Sequence, residues 1–272
     1  MNIIEFITNN ILPILALLTT GIFGGILAGL LGVGGGIIIV PMLFFMFQRL
    51  GVSPETAMLV ATATSLATIV PTSISSIHSH NLKGNVDFEL LKSWGVFIFI
   101  GVLAGSWLVI GIKGTMLTSL FGVIATLSAL NMLIGTGKPA LFQKLPDKGG
   151  QMVLGTSIGF FSSMVGIGGG TLSVPILTLY NYPVHKAVGT AAAIGLIISL
   201  PGALTMLIWG NTPTDAPEGT FGLVNLIGFI FIVPLTVLFA PVGARLATKL
   251  DAVKLKSLFA IVLLFTGLRM LA

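Results

Sequence analysis

The sequence predicts an all-α integral membrane protein whose two halves are inverted copies of one five-segment unit. Three observations carry this prediction: long apolar stretches, a glycine cluster that occurs twice, and an uneven distribution of lysine and arginine between alternate loops. Mean hydropathy is +1.08, and hydrophobic residues make up 55% of the chain against 8% for charged residues. A soluble domain carries roughly a quarter charged residues. These proportions therefore fit a chain that lies largely within a bilayer.

About ten apolar segments account for most of the chain. We expect them at about 10–31, 36–48, 57–79, 90–112 and 116–135 in the first half, and at about 151–166, 170–181, 187–209, 221–246 and 255–272 in the second. The second segment of each half is shorter than the ~20 residues that span a bilayer, so it is either a half-helix or one arm of a re-entrant hairpin. The first segment lacks a basic stretch before it and a cleavage-like site, which favours a retained helix over a signal peptide.

Each half contains the same glycine cluster. Leu31-Gly-Val-Gly-Gly-Gly36 is followed by Pro41, and Val165-Gly-Ile-Gly-Gly-Gly170, 134 positions later, is followed by Pro175. Tandem glycines and a nearby proline oppose a continuous helix. Paired interrupted segments of this kind are the usual pointer to the binding site of a transporter. The duplication extends over the chain and predicts a first repeat at 1–136, a cytoplasmic linker at 137–149 and a second repeat at 150–272.

Lysine and arginine residues set the expected orientation. With five segments in each half, ten of them fall on one side of the membrane, and three fall on the other: Arg49, Lys113 and Arg269. The positive-inside rule puts the ten in the cytoplasm and both termini outside. Four crossings per half would remove this asymmetry. The charges therefore favour five segments per half, and an odd number makes the two halves inverted.

The centre of the predicted protein offers backbone and hydroxyl groups. No Asp, Glu, Lys or Arg lies deep within any segment, and cysteine is absent. Half-helices that begin after the glycines would direct free N–H groups and positive dipole ends inward, which suits an anion. The predicted substrate-binding residues are the two glycine clusters, four hydroxyl side chains and one arginine at the cytoplasmic end of segment nine: Gly34, Gly35, Gly36, Gly168, Gly169, Gly170, Thr171, Ser173, Thr64, Thr190 and Arg245.

Structural alternatives accompany these assignments. Serine and threonine in membrane helices often bond to their own i−4 carbonyl, and Arg245 could extend its charge to the headgroups. His78 and His80 are expected to be solvated at the interface, with a proton or metal role as the alternative. Helix packing is the favoured role of the small residues spaced by four before each cluster: Gly21, Gly25, Gly29, Gly155, Gly159 and Ser163.

A family pattern emerges from these residues. Gly25-Ile-Leu-Ala-Gly-Leu-Leu-Gly-Val-Gly-Gly-Gly36 with Pro41 recurs as Gly159 through Gly170 with Pro175, and Ala187-Val-Gly-Thr190 and Gly243-Ala-Arg245 accompany them. This pattern resembles the sulfite exporter TauE/SafE permeases over essentially the full chain. The resemblance implies a bacterial inner-membrane carrier of sulfite or organosulfonates, such as sulfoacetate, that mostly exports. The chain departs from the pattern at Ser106-Trp107, where the second half has Ala244-Arg245.

The sequence thus predicts a secondary transporter that works by alternating access around an anion near the membrane midplane. The expected partners are a small anion, the lipid bilayer and, as a further possibility, a second copy of the chain, with no nucleic acid and no cofactor. A channel-like anion facilitator is the first alternative. A metal-ion permease is less favoured, because it should carry His, Asp or Glu within the segments. An enzyme is disfavoured because no nucleophile or base stands beside an orienting partner, so no catalytic or metal-ligating residue is predicted.

Overall fold

The computed structural model describes residues 11–134, 141–247 and 252–271, in which helices joined by loops are accompanied by one short hairpin. The first half contains α1 (Ile11–Leu31), α2 (Gly36–Arg49), α3 (Pro54–Asn81), α4 (Phe88–Gly111) and α5 (Gly114–Ile134). The second half contains α6 (Lys148–Val165), α7 (Gly170–Leu179), α8 (Val184–Ile208), α9 (Leu226–Leu246) and α10 (Ala252–Leu271). Each predicted apolar segment coincides with one of these described helices.

Six of the described helices are long and apolar enough to cross a membrane: α1, α3, α4, α5, α8 and α9. The short helices α2 and α7 have 14 and 10 residues. At the helical rise they extend about 21 and 15 Å, well short of the ~30 Å hydrocarbon core. Their lengths therefore fit both of the forms expected from the sequence, a half-helix and one arm of a re-entrant hairpin.

The start of α9 differs from its prediction. The sequence predicts a helix from about 221, but residues 220–225 form an antiparallel hairpin of β1 (Thr220–Phe221) and β2 (Val224–Asn225). Gly222 turns the chain there with a φ of 55°, a left-handed conformation that glycine adopts without a Cβ penalty. The side chain of Asn225 then accepts the N–H of Gly228 at 2.8 Å, which caps the helix at its true beginning.

Helices of the two halves pack in exchanged pairs. The first helix of one half packs mainly on the fourth helix of the other: α1 on α9 and α6 on α4. The third helices, α3 and α8, pack on each other, as do the fifth, α5 and α10. Of the most apolar stretch of each helix, 72% is buried inside the protein in α3 and 61% in α8, against 28–44% in the other four long helices. The pair α3 and α8 therefore forms the centre of the protein.

Small residues let the exchanged pairs approach backbone to backbone. A Cβ on Gly25 of α1 would lie 2.7 Å from the carbonyl oxygen of Thr236 on α9. Gly159 of α6 meets the carbonyl of Ile98 on α4 in the same way. Gly25 and Gly159 are 134 positions apart, and Ile98 and Thr236 are 138 apart, so the two contacts join matching positions. Neither glycine leaves room for a side chain, which is the packing role expected of small residues spaced by four.

Candidate functional site

The two glycine clusters form turns that cross near the centre of the protein, backbone against backbone. A Cβ on Gly34 would lie 3.3 Å from the Cα of Gly168, and one on Gly168 would lie 3.1 Å from the Cα of Gly34. On one flank Gly36 packs on the carbonyl of Gly166, and on the other Gly170 packs on the backbone before Gly34. The two chain segments come this close because no Cβ stands between them.

Glycine is required in these turns for two different reasons. Gly32, Gly34 and Gly35 have φ values of 67°, 71° and 79°, and Gly166 has 71°. This left-handed region disfavours residues with a Cβ. Gly168 does not share that conformation, so its requirement is the close approach of the opposing turn.

Both short helices begin at the crossing, and neither α2 nor α7 has a side-chain cap. Helix α8 also begins without one, whereas α3, α4, α6 and α9 are each capped by a side chain that accepts a first-turn N–H: Ser53, Asp87, Asp147 and Asn225. The first N–H groups of a helix have no partner within the helix, and the dipole there favours negative charge. The crossing therefore brings two uncapped, electropositive helix ends together.

A cavity of about 100 Å³ reaches the crossing from one face of the protein. Gly170, Thr171 and His80 line its buried part, whereas the exposed residues Lys83 and His185 line it nearer the surface. The Thr171 hydroxyl oxygen has no hydrogen-bond partner in the part of the chain that the structure describes, although the residue is only 3% exposed. Among the described residues that line this cavity, none is acidic. The cavity thus leads from a basic face to the start of α7.

Two basic side chains of this cavity are held by carbonyl oxygens. Lys83 Nζ donates to the carbonyl oxygen of Ala244 near the end of α9 at 2.6 Å, where a cation is favourable. His80 Nε2 lies 2.8 Å from the carbonyl oxygen of Gly29 on α1. His80 is 2% exposed, so the expectation of a solvated histidine is wrong for His80, whereas His78 is exposed as expected.

Residues 17–270, which include both glycine turns and the cavity, match the family described as sulfite exporter TauE/SafE. This chain belongs to that family. The match confirms the resemblance that the doubled glycine pattern carries. It also identifies the protein as a multi-pass membrane transporter and not an enzyme.

Relatives that match nearly the whole chain are described as probable membrane transporter proteins. A probable membrane transporter protein of Haemophilus influenzae is 29% identical over 259 residues, which cover 94% of this chain and 97% of the relative. One from Methanocaldococcus jannaschii is 28% identical over 274 residues, or 98% of each chain. The probable membrane transporter protein YunE of Bacillus subtilis is 25% identical over 283 residues. No solved structure matches the chain.

The TauE/SafE-family chain brings only some of its predicted site residues to the cavity. Gly170 and Thr171 line it, while Gly34, Gly168 and their neighbours form the crossing behind it. The hydroxyl of Ser173 donates to the Gly169 carbonyl at 2.6 Å, which is the i−4 bond weighed as its alternative. Arg245 is exposed and does not line this cavity.

Thr64 and Thr190 form matching links between the halves. Thr64 Oγ1 accepts the N–H of Asn225 at 2.8 Å, and Thr190 Oγ1 accepts the N–H of Asp87 at 3.0 Å. Asp87 and Asn225 are 138 positions apart, and each caps the fourth helix of its half. Neither threonine lines the cavity, so direct contact of either with a substrate stays a prediction.

Three residues that line the cavity are absent from the predicted substrate-binding set: His80, Lys83 and His185. The sequence predicts a solvated His80, with a proton or metal role as the alternative, and Lys83 is one of the ten lysine and arginine residues expected in the cytoplasm. A usable signal for His185 was its position two residues after Pro183, at the start of α8 and on the same predicted membrane face as Lys83. Residues that begin one segment and end another on one face can share a vestibule.

On the opposite face, the connection between α8 and α9 is fastened to the start of α3. Asp215 accepts the N–H of Ser53 at 3.0 Å and the hydroxyl of Thr56 at 2.6 Å. These hydrogen bonds favour the carboxylate and lower the pKa of Asp215 to about 2. Asp215 therefore ties an exposed loop to a central helix.

Proposed function

We propose that this transporter moves a small sulfur-containing oxyanion, sulfite or an organosulfonate such as sulfoacetate, out of the cell by alternating access. The anion binds where the two glycine turns cross, at the N-termini of α2 and α7 near the membrane midplane. One observation carries the proposal: the cavity that starts among basic side chains ends at Gly170 and Thr171, the first residues of an uncapped helix.

The groups at this end of the cavity suit an oxyanion. Backbone N–H groups at the start of α7 and the Thr171 hydroxyl are hydrogen-bond donors, and the Thr171 hydroxyl has no partner among the residues described. A buried polar group left unpaired costs about 1–3 kcal/mol, so a ligand oxygen that accepts from it gains that much. Lys83 adds positive charge nearer the surface, where it attracts an anion from solution.

The exchanged helix pairs support two inverted repeats, at 1–136 and 150–272 with a linker at 137–149. If a two-fold axis relates the halves, the α1–α9 contact and the α4–α6 contact are equivalent. The same axis would relate Gly34 to Gly168, which lie against each other. Inverted repeats around a central site are common in secondary transporters. With the basic face in the cytoplasm, both termini lie outside the inner membrane.

The cavity is lined by α7 but not by the matching face of α2, and this asymmetry supports a carrier over a channel-like facilitator. Thr171, Val174 and Thr178 line the cavity on α7. The residues 134 positions earlier, on α2, are Ile37, Val40 and Phe44, and they are 3%, 0% and 6% exposed. Thr171 and Ile37 are equally buried, whereas Val174 and Thr178 are half-buried and their counterparts Val40 and Phe44 are buried. Beyond its first turn, α7 thus borders more open space than the matching face of α2, an asymmetry that alternating access predicts.

Flux measurements on the purified protein in proteoliposomes test the proposal. The panel is sulfite, sulfoacetate, taurine, sulfate and divalent metal ions. We expect saturable flux of a sulfur oxyanion that is lost in Gly169→Leu, because a side chain there would meet the Gly195 nitrogen 2.8 Å from its Cβ. Gly111→Leu is the control, since among the described residues no atom outside its own stretch of helix lies within 4 Å of a Cβ built there.

The alternatives give different results in the same assay. Anion flux that rises linearly without saturation would favour the channel-like facilitator. Flux of divalent metals with none of any sulfur oxyanion would contradict the proposal and favour a metal-ion permease.

A further inference from the structure

His80 is the buried titratable residue of the cavity. It is the next-to-last residue of α3 and is 2% exposed. Its Nε2 lies 2.8 Å from the carbonyl oxygen of Gly29, and its Nδ1 is buried without a hydrogen-bond partner among the described residues. The two ring nitrogens are therefore in different situations.

The partner of Nε2 fixes what Nδ1 can do. A carbonyl oxygen only accepts, so Nε2 must carry a proton to make the bond to Gly29. In a neutral imidazole the other nitrogen, Nδ1, then has a lone pair and cannot donate. Protonation turns Nδ1 into a donor and leaves the Nε2–H bond to Gly29 unchanged. An anion in the cavity can therefore accept a hydrogen bond from His80 only when His80 is protonated.

The groups around His80 are positive or uncharged. Lys83 follows it by one helical turn, and with one N–H given to Ala244 it retains two others for a ligand. The facing helix α8 contributes His185 to the same cavity. Helices α1 and α7 carry no titratable side chain, and α9 carries Arg245, which is exposed, next to Ala244. A negative charge among these groups offsets their mutual repulsion.

The nearest acidic residue along this part of the chain is already engaged. Asp87 lies two residues after Asn85, which lines the cavity. Its carboxylate accepts the Tyr182 hydroxyl and two N–H groups of α4. These hydrogen bonds, that of Tyr182 first, lower the pKa of Asp87. A bound anion, and not a protein carboxylate of this cavity, is then the natural partner of a protonated His80.

We propose that His80 takes up one proton from solution when an oxyanion occupies the cavity, so that the protein binds an anion and a proton together. The proton comes from water on the basic face and bonds to Nδ1, and the resulting N–H donates to an anion oxygen. Release of the anion returns the proton. This inference rests on the proposed function, because it takes the cavity as the route of the anion. The ligand class is a small oxyanion that brings no acidic proton, such as a sulfonate.

Binding of isethionate to the purified full-length protein tests this inference, because its sulfonate does not titrate near neutral pH. Affinity is measured by calorimetry between pH 5.5 and 8.5 in two buffers of different ionisation enthalpy, which counts the protons taken up. We expect about one proton per anion at the upper end of this range. We also expect an affinity that falls about tenfold per pH unit there, the slope of one coupled proton.

Variants assign the proton to a residue. His80→Gln should bind isethionate weakly and with little dependence on pH. His78→Gln is the matched control, since His78 is exposed on the same helix, and it should keep the pH dependence. His185→Gln should bind more weakly but keep the slope.

Each contrary result has a distinct meaning. Affinity that does not change with pH, or binding without proton uptake, overturns this inference and leaves the proposed transport function standing. A slope that survives in His80→Gln but is lost in His185→Gln also overturns it. Absence of binding for every sulfur oxyanion contradicts both proposals. If His80→Gln fails to fold, the proton count on the unmodified protein decides.

Discussion

Replacing Gly168 with alanine tests whether the crossing of the two turns requires a residue without a Cβ. A Cβ on Gly168 would lie 2.9 Å from the carbonyl carbon of Val33 and 3.1 Å from the Cα of Gly34. Both neighbours are backbone atoms of the opposing turn, which cannot rotate away as a flexible side chain can. Overpacking of this kind costs about 1–3 kcal/mol. The shift that relieves it would also separate the starts of α2 and α7.

Unfolding of the detergent-purified protein measures the cost, and flux in proteoliposomes measures the effect on function. Gly95→Ala is the matched control, because its Cβ would meet only Ile197 Cδ1, at an ordinary 3.5 Å. Alanine in a helix is favoured over glycine by about 1 kcal/mol, so the control should be at least as stable as the parent. We expect Gly168→Ala to lose about 1–3 kcal/mol and to lose flux even where it is folded. Equal stability and equal flux in the two variants would refute the packed crossing.

Two further predictions concern hydrogen bonds that hold loops between helices: that of Thr190 to Asp87, and those of Asp215 to Ser53 and Thr56. Thr190→Val removes the acceptor of the Asp87 N–H, so we expect unfolding to show a loss of about 1–3 kcal/mol. Thr62→Val removes a buried hydroxyl that has no hydrogen-bond partner within residues 11–134, 141–247 and 252–271 and should cost little, so equal losses would contradict the role of Thr190. Because the folded pKa of Asp215 is about 2, below its ordinary 3.8, its stabilising effect is full above about pH 4 and is lost as the pH falls towards 2. Asp215→Asn should flatten the stability profile in that window, and an unchanged profile would contradict the link to Ser53.

Helix positions and the glycine turns could be predicted because their signals are local. Apolar runs between polar loops located the described helices within a few residues, and two glycine clusters at one spacing indicated matching breaks. The start of α9 was misplaced because Phe221, Leu223 and Val224 are as apolar as helix residues. Asn225 stands directly before an apolar run, a position that favours an N-cap. That pattern points to a helix that begins at Leu226 and not at 221.

Partners of individual side chains could not be predicted from the sequence, because they depend on which helices meet. The burial of His80 requires the end of α1, and its Gly29 carbonyl, to lie against the end of α3. In the same way, Thr64 and Thr190 each bond to a segment more than 100 residues away along the chain. Hydroxyl spacing on a helix says that such side chains share a face, but not what they face.

Cysteine labelling tests the central claim, alternating access around the crossing, most directly. The chain contains no cysteine, so single variants need no altered background. Val174→Cys, in the cavity, should react with a membrane-impermeant maleimide from the basic face, whereas Val40→Cys, its buried counterpart 134 positions earlier, should react only from the opposite face and only during transport turnover. Labelling of both from one face, or no labelling of Val40→Cys in a variant that still transports, would contradict the account.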